Sequence, residues 1–416
     1  MDHPTVRAQR PRDRKAQLAS VAAELFRARG YHGVGINDIA AAAGVTGPAL
    51  YRHFADKQAI LAYVVLSGID DMETATAETL STVDRTAKDQ LEALLNGLAA
   101  QAVERREVAA LWRWEGKHLP KEDQREIRRR SSAVLTAWTK ALLEQRPELA
   151  ADDAELLCWA GLSVFGSVSV HHTSVAKKRF GELLVRLALR VLHTTLHTTP
   201  HSTPHSTLPE SPSAPVQVPP LGLGRPSRRE LILTAATALF GERGFRAVSM
   251  EDIGAAAGIA GPSVYRHFAS KAALMVAIGH RAADRLAVGA EYASRTSAPA
   301  NETATLRRLA ESYVHTLLHT PELLVSFSGD PVVLPERDKA DLLRVQRDYV
   351  ERWLSLLAAA RPELNAREVK ITVHAALTIA NDLARTRRIK SRPGLDAELV
   401  TLMTATLGLS AVDFPS

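Results

Sequence analysis

Apolar residues recur at intervals of three and four along most of the chain. Over Arg14–Arg29, Leu18, Val21, Ala22, Leu25 and Phe26 share one face, the period of an amphipathic helix. The same spacing marks Gln90–Val103, Arg125–Glu144, Asp153–Val170 and Phe180–Leu192. It returns in Thr305–His319, Lys339–Ala359, Ala366–Arg385 and Ala397–Leu407. Strand-like alternation is scarce, and Ala, Leu, Glu and Arg dominate, so the pattern predicts an all-α protein. Pro147 and Pro362 interrupt it at equivalent points between helices.

The helical pattern stops at His193 and resumes after Gly224. Segment 193–224 is rich in Thr, Ser and Pro and nearly free of charge and aromatics. It cannot bury a core and reads as a disordered linker. Roughly 30 residues span about 30 Å as a flexible coil and up to ~90 Å as a polyproline helix, enough for flanking domains to lie side by side. His193, His197, His201 and His205 recur through it. With no carboxylate or cysteine among them, drift of a four-residue repeat explains them better than a metal site.

The flanking parts are copies of one another. Ala22–Leu61 aligns with Ala236–Met275 without a gap, roughly half the positions being identical, and Gly30 falls on Gly244. Further on, Leu119-Pro120 matches Leu334-Pro335, Trp138 matches Trp353, and Arg146-Pro147-Glu148-Leu149 matches Arg361-Pro362-Glu363-Leu364, with the register moved by one residue. A chain of 416 residues holds two such halves, each large enough for its own core. The division expected is 1–62, 63–192, the linker 193–224, 225–276 and 277–416. Net charge is +6, a mild excess that permits nucleic-acid binding. Cys158 is the only cysteine, so no intrachain disulfide can form and a reducing cytoplasm fits. The polar, basic N-terminal stretch is no signal peptide, and no apolar run of about 18 residues suggests a membrane span.

Each repeat reads as three short helices. The first ends at Gly30 or Gly244, where glycine can adopt the left-handed conformation. The second opens at Ser249-Met250-Glu251-Asp252, a capping-box pattern, or at the weaker Gly35-Ile36-Asn37-Asp38. Small residues, Ala40–Ala43 and Gly254–Ala257, then allow the next helix to cross closely before Gly44 or Gly258 ends it. The third helix is Gly47-Pro48-Ala49-Leu50-Tyr51-Arg52-His53-Phe54, or Gly261-Pro262-Ser263-Val264-Tyr265-Arg266-His267-Phe268. Proline is tolerated in a first turn. Leu50 and Phe54 face the core, which turns Tyr51, Arg52 and the small N-terminal residues outward. A helix that opens with small side chains can enter a major groove closely, and its N-terminus favours phosphate.

The pattern from Phe-x-x-x-Gly through Asp-Ile, Ala-Gly and Tyr-x-x-Phe to Lys, present in both halves, resembles the TetR family of bacterial transcriptional regulators. The resemblance implies that each half pairs a helix-turn-helix with a helical ligand and dimerisation domain. It places Thr46, Gly47, Pro48, Ala49, Tyr51, Arg52, His53 and Lys57 on DNA, with Gly261, Pro262, Ser263, Tyr265, Arg266, His267 and Lys271 in the second half. Ala260 departs from Thr46, the expected cap and phosphate contact. Basic arms precede the heads: Arg7, Arg10, Arg12, Arg14 and Lys15, then Arg225, Arg228 and Arg229. Because family members pair their last two helices with a twin, the resemblance also implies an intrachain pseudo-dimer: Asp153–Val170 and Phe180–Leu192 against Ala366–Arg385 and Ala397–Leu407. Further homodimerisation stays open.

Aromatic and histidine residues crowd the helical domains. Trp112, Trp114, His118, Trp138 and Trp159, and in the second half Phe327, Tyr349, Trp353 and His374, are read as core or as walls of a pocket for a small apolar or aromatic effector. Glu115 and His118 with His171-His172 make an unconvincing metal set, and no metal or cofactor is expected. No catalytic triad, phosphate loop or zinc spacing stands out, so no enzyme is expected. The sequence thus points to a double-stranded-DNA-binding, ligand-responsive regulator, a repressor by preference, located in the cytoplasm on the nucleoid. It would read a near-palindromic operator with two linked heads. A ligand-independent architectural DNA binder and a protein scaffold that has lost DNA binding stay open as alternatives.

Overall fold

The computed structural model describes residues 11–82, 86–196, 226–295, 301–328 and 334–409, and within them not the side chains of 11–13, 112–115, 117 and 327–328. Among the described residues there are helices and turns and no strand. The first half contains α1 (Pro11–Arg29), α2 (Ile36–Ala42), α3 (Gly47–Tyr51), α4 (Lys57–Leu80), α5 (Ala87–Glu104), α6 (Arg106–Glu115), α7 (Lys121–Gln145), α8 (Ala151–Gly166) and α9 (Lys177–Leu192). The second contains α10 (Arg228–Arg243), α11 (Met250–Ala257), α12 (Gly261–Tyr265), α13 (Lys271–Arg295), α14 (Glu302–His319), α15 (Pro321–Ser328), α16 (Glu336–Ala360), α17 (Ala366–Arg385), α18 (Arg387–Lys390) and α19 (Leu395–Leu407).

The helices after the repeats differ from expectation in length. The expected head domains close at residues 62 and 276, yet α4 and α13 continue to Leu80 and Arg295. They therefore run straight through the boundaries 62/63 and 276/277. A polar stretch, Asp70-Asp71-Met72-Glu73, masks the continuation in α4, although Ile69 and Thr76 stay buried on its inner face. Arg130 of α7 explains the acids: its guanidinium bridges Asp70 and Glu73. The segment 197–225, most of the expected linker, lies outside the described residues.

The compact units do not follow the sequence halves. One gathers the described residues of Met1–Thr194 with Leu357–Ile389 and Leu402–Ser416; the other comprises those of Thr195–Leu356 and Lys390–Thr401.

In the first unit, Leu18, Ala22 and Phe26 of α1, Ile39 of α2, Leu50, Phe54 and Ile60 are almost fully buried. That cluster continues without a break into Leu111, Leu119 and Ile127, so the head shares a core with the helices behind it. Each large side chain so buried contributes about 1.5–3 kcal/mol. Behind the head, α8 and α9 pack on one another and α17 packs along α8 and touches α9. Helix α17 presents Ile371, Ala375, Ala376, Ile379, Ala380 and Leu383, all buried. Arg179 Nε donates to Glu368 Oε1 at 2.7 Å at the edge of this packing. A helix of the second half is thus built into the bundle of the first; of the expected pairing of last helices, α17 lies on α8 and α9.

In the second unit, Ile232, Ala236, Phe240, Ile253, Val264, Phe268, Leu274 and Ile278 form the corresponding core of α10–α13, joined by Val325 of α15. Helix α13 packs on α14 and α15. Arg281 holds Glu230 with two bonds of 2.6 Å, fixing α13 to the start of α10.

Candidate nucleic-acid interface

Each helix-turn-helix is shaped by glycine and by caps. Gly30 and Gly244 leave the first helix at φ 72° and 81°. Gly44 and Gly258 make the turn at φ 64° and 66°, a region that side chains disfavour. Helix α11 opens with a full capping box: Ser249 Oγ accepts from the Asp252 N–H at 3.0 Å, and Asp252 Oδ2 accepts from the Ser249 N–H at 2.8 Å. The Ser249 backbone N–H, and then its hydroxyl, hold the Asp252 carboxyl below its usual range. In α2 only half the box exists, since Gly35 has no side chain and its N–H donates to Asp38 Oδ2 at 2.7 Å. The close crossing shows at Gly254, where an added Cβ would lie 2.8 Å from the Ile259 carbonyl oxygen.

The recognition helices are short. Thr46 caps α3, its Oγ1 accepting from the Ala49 N–H at 3.4 Å. Ala260 offers α12 no such bond. Leu50 and Val264 are buried beneath them, while Tyr51 and Tyr265 are 55% and 50% exposed. Pro48, Arg52, Pro262, Arg266 and His267 are exposed, and Gly47, Ala49, His53, Gly261 and Ser263 are half-buried. The two faces differ in one bond that the sequence does not announce: Arg266 Nη2 donates to Ser263 Oγ at 2.6 Å. Ala49 cannot hold Arg52 in that way. Asn37, passed over in the sequence, also reaches this edge, its Oδ1 lying 3.4 Å from where a Cβ of Gly47 would be. Its counterpart is the exposed acid Glu251. The mismatch between the repeats was the available signal.

Lys57 and Lys271 start the next helices and tie the loop before α2 or α11 in place. Lys57 Nζ donates to the carbonyls of Tyr31 and Val34 at 2.8 and 2.9 Å and lies 4.2 Å from the Tyr31 ring centroid. Lys271 Nζ repeats this with Phe245 and Val248 at 3.0 and 2.6 Å. Of the basic arms, Arg14, Lys15, Arg228 and Arg229 stand at the starts of α1 and α10. Arg7, Arg10 and Arg225 lie outside the described residues, as does the side chain of Arg12.

Among the described residues, those proposed for an effector pocket meet different neighbours. Trp138 is buried and its Nε1 donates to Thr76 Oγ1 at 3.1 Å. Its counterpart Trp353 packs with Tyr313 and Tyr349, ring centroids 6.1 and 6.5 Å away. Burial pushes the Tyr349 hydroxyl pKa far up. The Trp353 N–H beside it offsets part of that rise, although no acceptor among the described residues meets hydrogen-bond geometry with that N–H. The structure takes His118 and His374 elsewhere. His118 stacks on Tyr31 at 5.2 Å, against the head, and Gln58 Nε2 donates to its carbonyl at 2.8 Å. His374 packs on His171, 5.2 Å away, in the shared bundle. Trp159 is half-buried on α8. Trp112, Trp114 and Phe327 stand on α6 and α15, but their side chains lie outside the described residues. Among the described residues, no three His, Cys, Asp or Glu side chains are placed to hold a metal ion, and no helix is long and apolar enough to cross a membrane.

Comparison with known proteins adds the following. The model of the family described as bacterial regulatory proteins, tetR family, matches residues 18–64 and again 232–278. The transcriptional activator FasR of Mycolicibacterium smegmatis is 33% identical over 115 residues, 27% of this chain and 52% of FasR. The chain thus spans about half the length of that relative. The transcriptional repressor KstR2 of Rhodococcus jostii is 27% identical over 172 residues, 41% of this chain and 83% of KstR2. Among solved structures, KstR2 of Mycobacterium tuberculosis, described as a ketosteroid transcriptional regulator, aligns at 23% identity and a TM-score of 0.38, covering 44% of this chain and 94% of that one.

Proposed function

Because the chain belongs to the TetR family of bacterial regulatory proteins and carries that family's DNA-binding domain twice, we propose that it is a transcription regulator whose two heads read one operator from a single polypeptide. The observation that carries this reading is the repeated outward face of α3 and α12, where Tyr51-Arg52-His53 and Tyr265-Arg266-His267 stand over a buried Leu50 or Val264. These side chains close the five-residue helices α3 and α12, and exposed side chains on a helix-turn-helix reading helix contact base edges and phosphates. The packing of α17 along α8 supports the pseudo-dimer, since it supplies within one chain the helix pairing that other members obtain from a twin.

The heads are similar and not identical. Ser263 restrains Arg266, Ala260 leaves α12 uncapped, and Glu251 replaces Asn37. The operator is therefore an inverted repeat with unequal arms, centred about one helical turn apart. Occupying a promoter blocks polymerase, and repression is the sign proposed, in keeping with the name of KstR2. An apolar or aromatic effector in the helical domains shifts the chain toward a state whose heads no longer fit the site, which requires only that it bind that state better.

The test is the affinity of Tyr51→Ala, Tyr265→Ala and the double variant for a duplex selected by the wild-type chain, measured across salt concentrations. Each single change weakens binding, by about 1–3 kcal/mol if the ring contacts a base and less if it contacts phosphate only. The double change weakens it further. Affinity unchanged in all three would sink the assignment.

A further inference from the structure

The two heads differ in a place that neither DNA contacts nor the helical domains account for. In the first head, Tyr63 of α4 lies against Phe54, ring centroids 5.5 Å apart and nearly perpendicular. Lys15 Nζ sits over both rings, 5.1 Å from Phe54 and 4.9 Å from Tyr63. The gapless alignment puts Phe54 on Phe268, and the same register carried outward puts Lys15 on Arg229 and Tyr63 on Ala277. The second head keeps the ring and the cation and has lost the ring between them. A groove of about 560 Å³ opens there between α10 and α13.

Its lining sets the chemistry. Phe268, Leu233, Val276 and Ala277 give apolar walls. Arg229 lies 4.2 Å from the Phe268 ring centroid. The other charges are already matched or negative: Arg281 is bound by Glu230, His280 Nε2 lies 3.4 Å from Asp341 Oδ2, and Asp284 stands one turn beyond His280 on α13. Arg229 makes no hydrogen bond or ion pair to an acid among the described residues, so the cation beside the ring can accept an anion. A flat aromatic body would replace the missing Tyr63 ring, held by ring–ring contact and by the cation.

We propose that this groove of the second head binds a small aromatic carboxylate, its ring on Phe268 in the place that Tyr63 fills in the first head, and its carboxylate on Arg229. The site lies within the head itself, and His267 of the expected DNA face forms part of its rim. Occupancy would act on α12 directly. That consequence rests on the DNA reading above; binding of the acid does not.

The experiment is calorimetric titration of the full chain, without DNA, using 2-naphthoate as the probe. Wild type binds it saturably. Ala277→Tyr puts back the ring that the first head tolerates and abolishes the heat of this site. Arg229 is exposed, so Arg229→Gln lowers the affinity about fivefold, the size expected for a solvent-facing cation–π and ion-pair contact. Thermal melting establishes that each variant is folded; should Ala277→Tyr melt early, Arg229→Gln alone decides. No saturable binding to wild type, or binding left unchanged by a folded variant, overturns the proposal.

Discussion

Trp138 and Trp353 occupy the same place in the two halves and differ in one hydrogen bond. Thr76 accepts from Trp138. Continuing the gapless register along α13 puts the buried Ala290 at the matching position, and among the described residues no acceptor meets hydrogen-bond geometry with the Trp353 N–H. A buried donor without a partner costs about 1–3 kcal/mol. Ala290→Thr supplies the hydroxyl that the first half already uses. Thermal denaturation should show the second half stabilised by about 1 kcal/mol, whereas an unchanged or lowered melting temperature would mean that the donor is satisfied in another way. The same residue-level contrast runs through the heads, where one lost hydroxyl at Ala260 and one gained at Ser263 distinguish two nearly identical helices.

At the level of elements, local pattern was legible and tertiary company was not. The periodicity located most of the long helices, because amphipathic spacing is written into each segment. It passed over α6, where tryptophans alternate with charges, and it cut α4 short at an acidic run whose purpose, pairing with Arg130, appears only when α7 lies alongside. The DNA face could be read because both copies of the motif carried it. His118 and His374 could not be placed, since which neighbour a histidine meets depends on packing between distant helices. His374 of α17 meets His171, just beyond α8, with Lys370 and Arg106 nearby. Burial first, and then these cations and the partner ring, lower the His171 pKa to about 3. Burial and Lys370 lower that of His374 to about 4. Both start from 6.5, so below that pH the unfolded chain takes up protons that the folded bundle refuses. Stability is full above 6.5 and is lost as pH falls toward about 4 and then 3. The melting temperature should drop between about pH 7 and pH 5, and His374→Gln should make that drop smaller. An equal drop in both proteins would contradict the placement of His374.

For the whole molecule, the expected consequence is that the first half needs α17 to complete its bundle. The face of α8 that receives α17 is apolar, with Leu156, Leu157, Ala160 and Val164 among its buried residues. A chain ending after Thr194 would expose whichever of these α17 covers, and a patch of several hundred Å² invites association. Such a truncation should dimerise or aggregate in sedimentation, and a soluble, stable monomer would count against the shared bundle. The proposed pseudo-dimer also implies a stoichiometry of one chain per DNA site. Selection of bound duplexes from a random pool by the full-length chain, with the molar mass of the resulting complex determined, tests this most directly. The account predicts an inverted repeat with unequal arms, bound by one chain. A site filled only by two chains, or no enriched sequence at all, would contradict it.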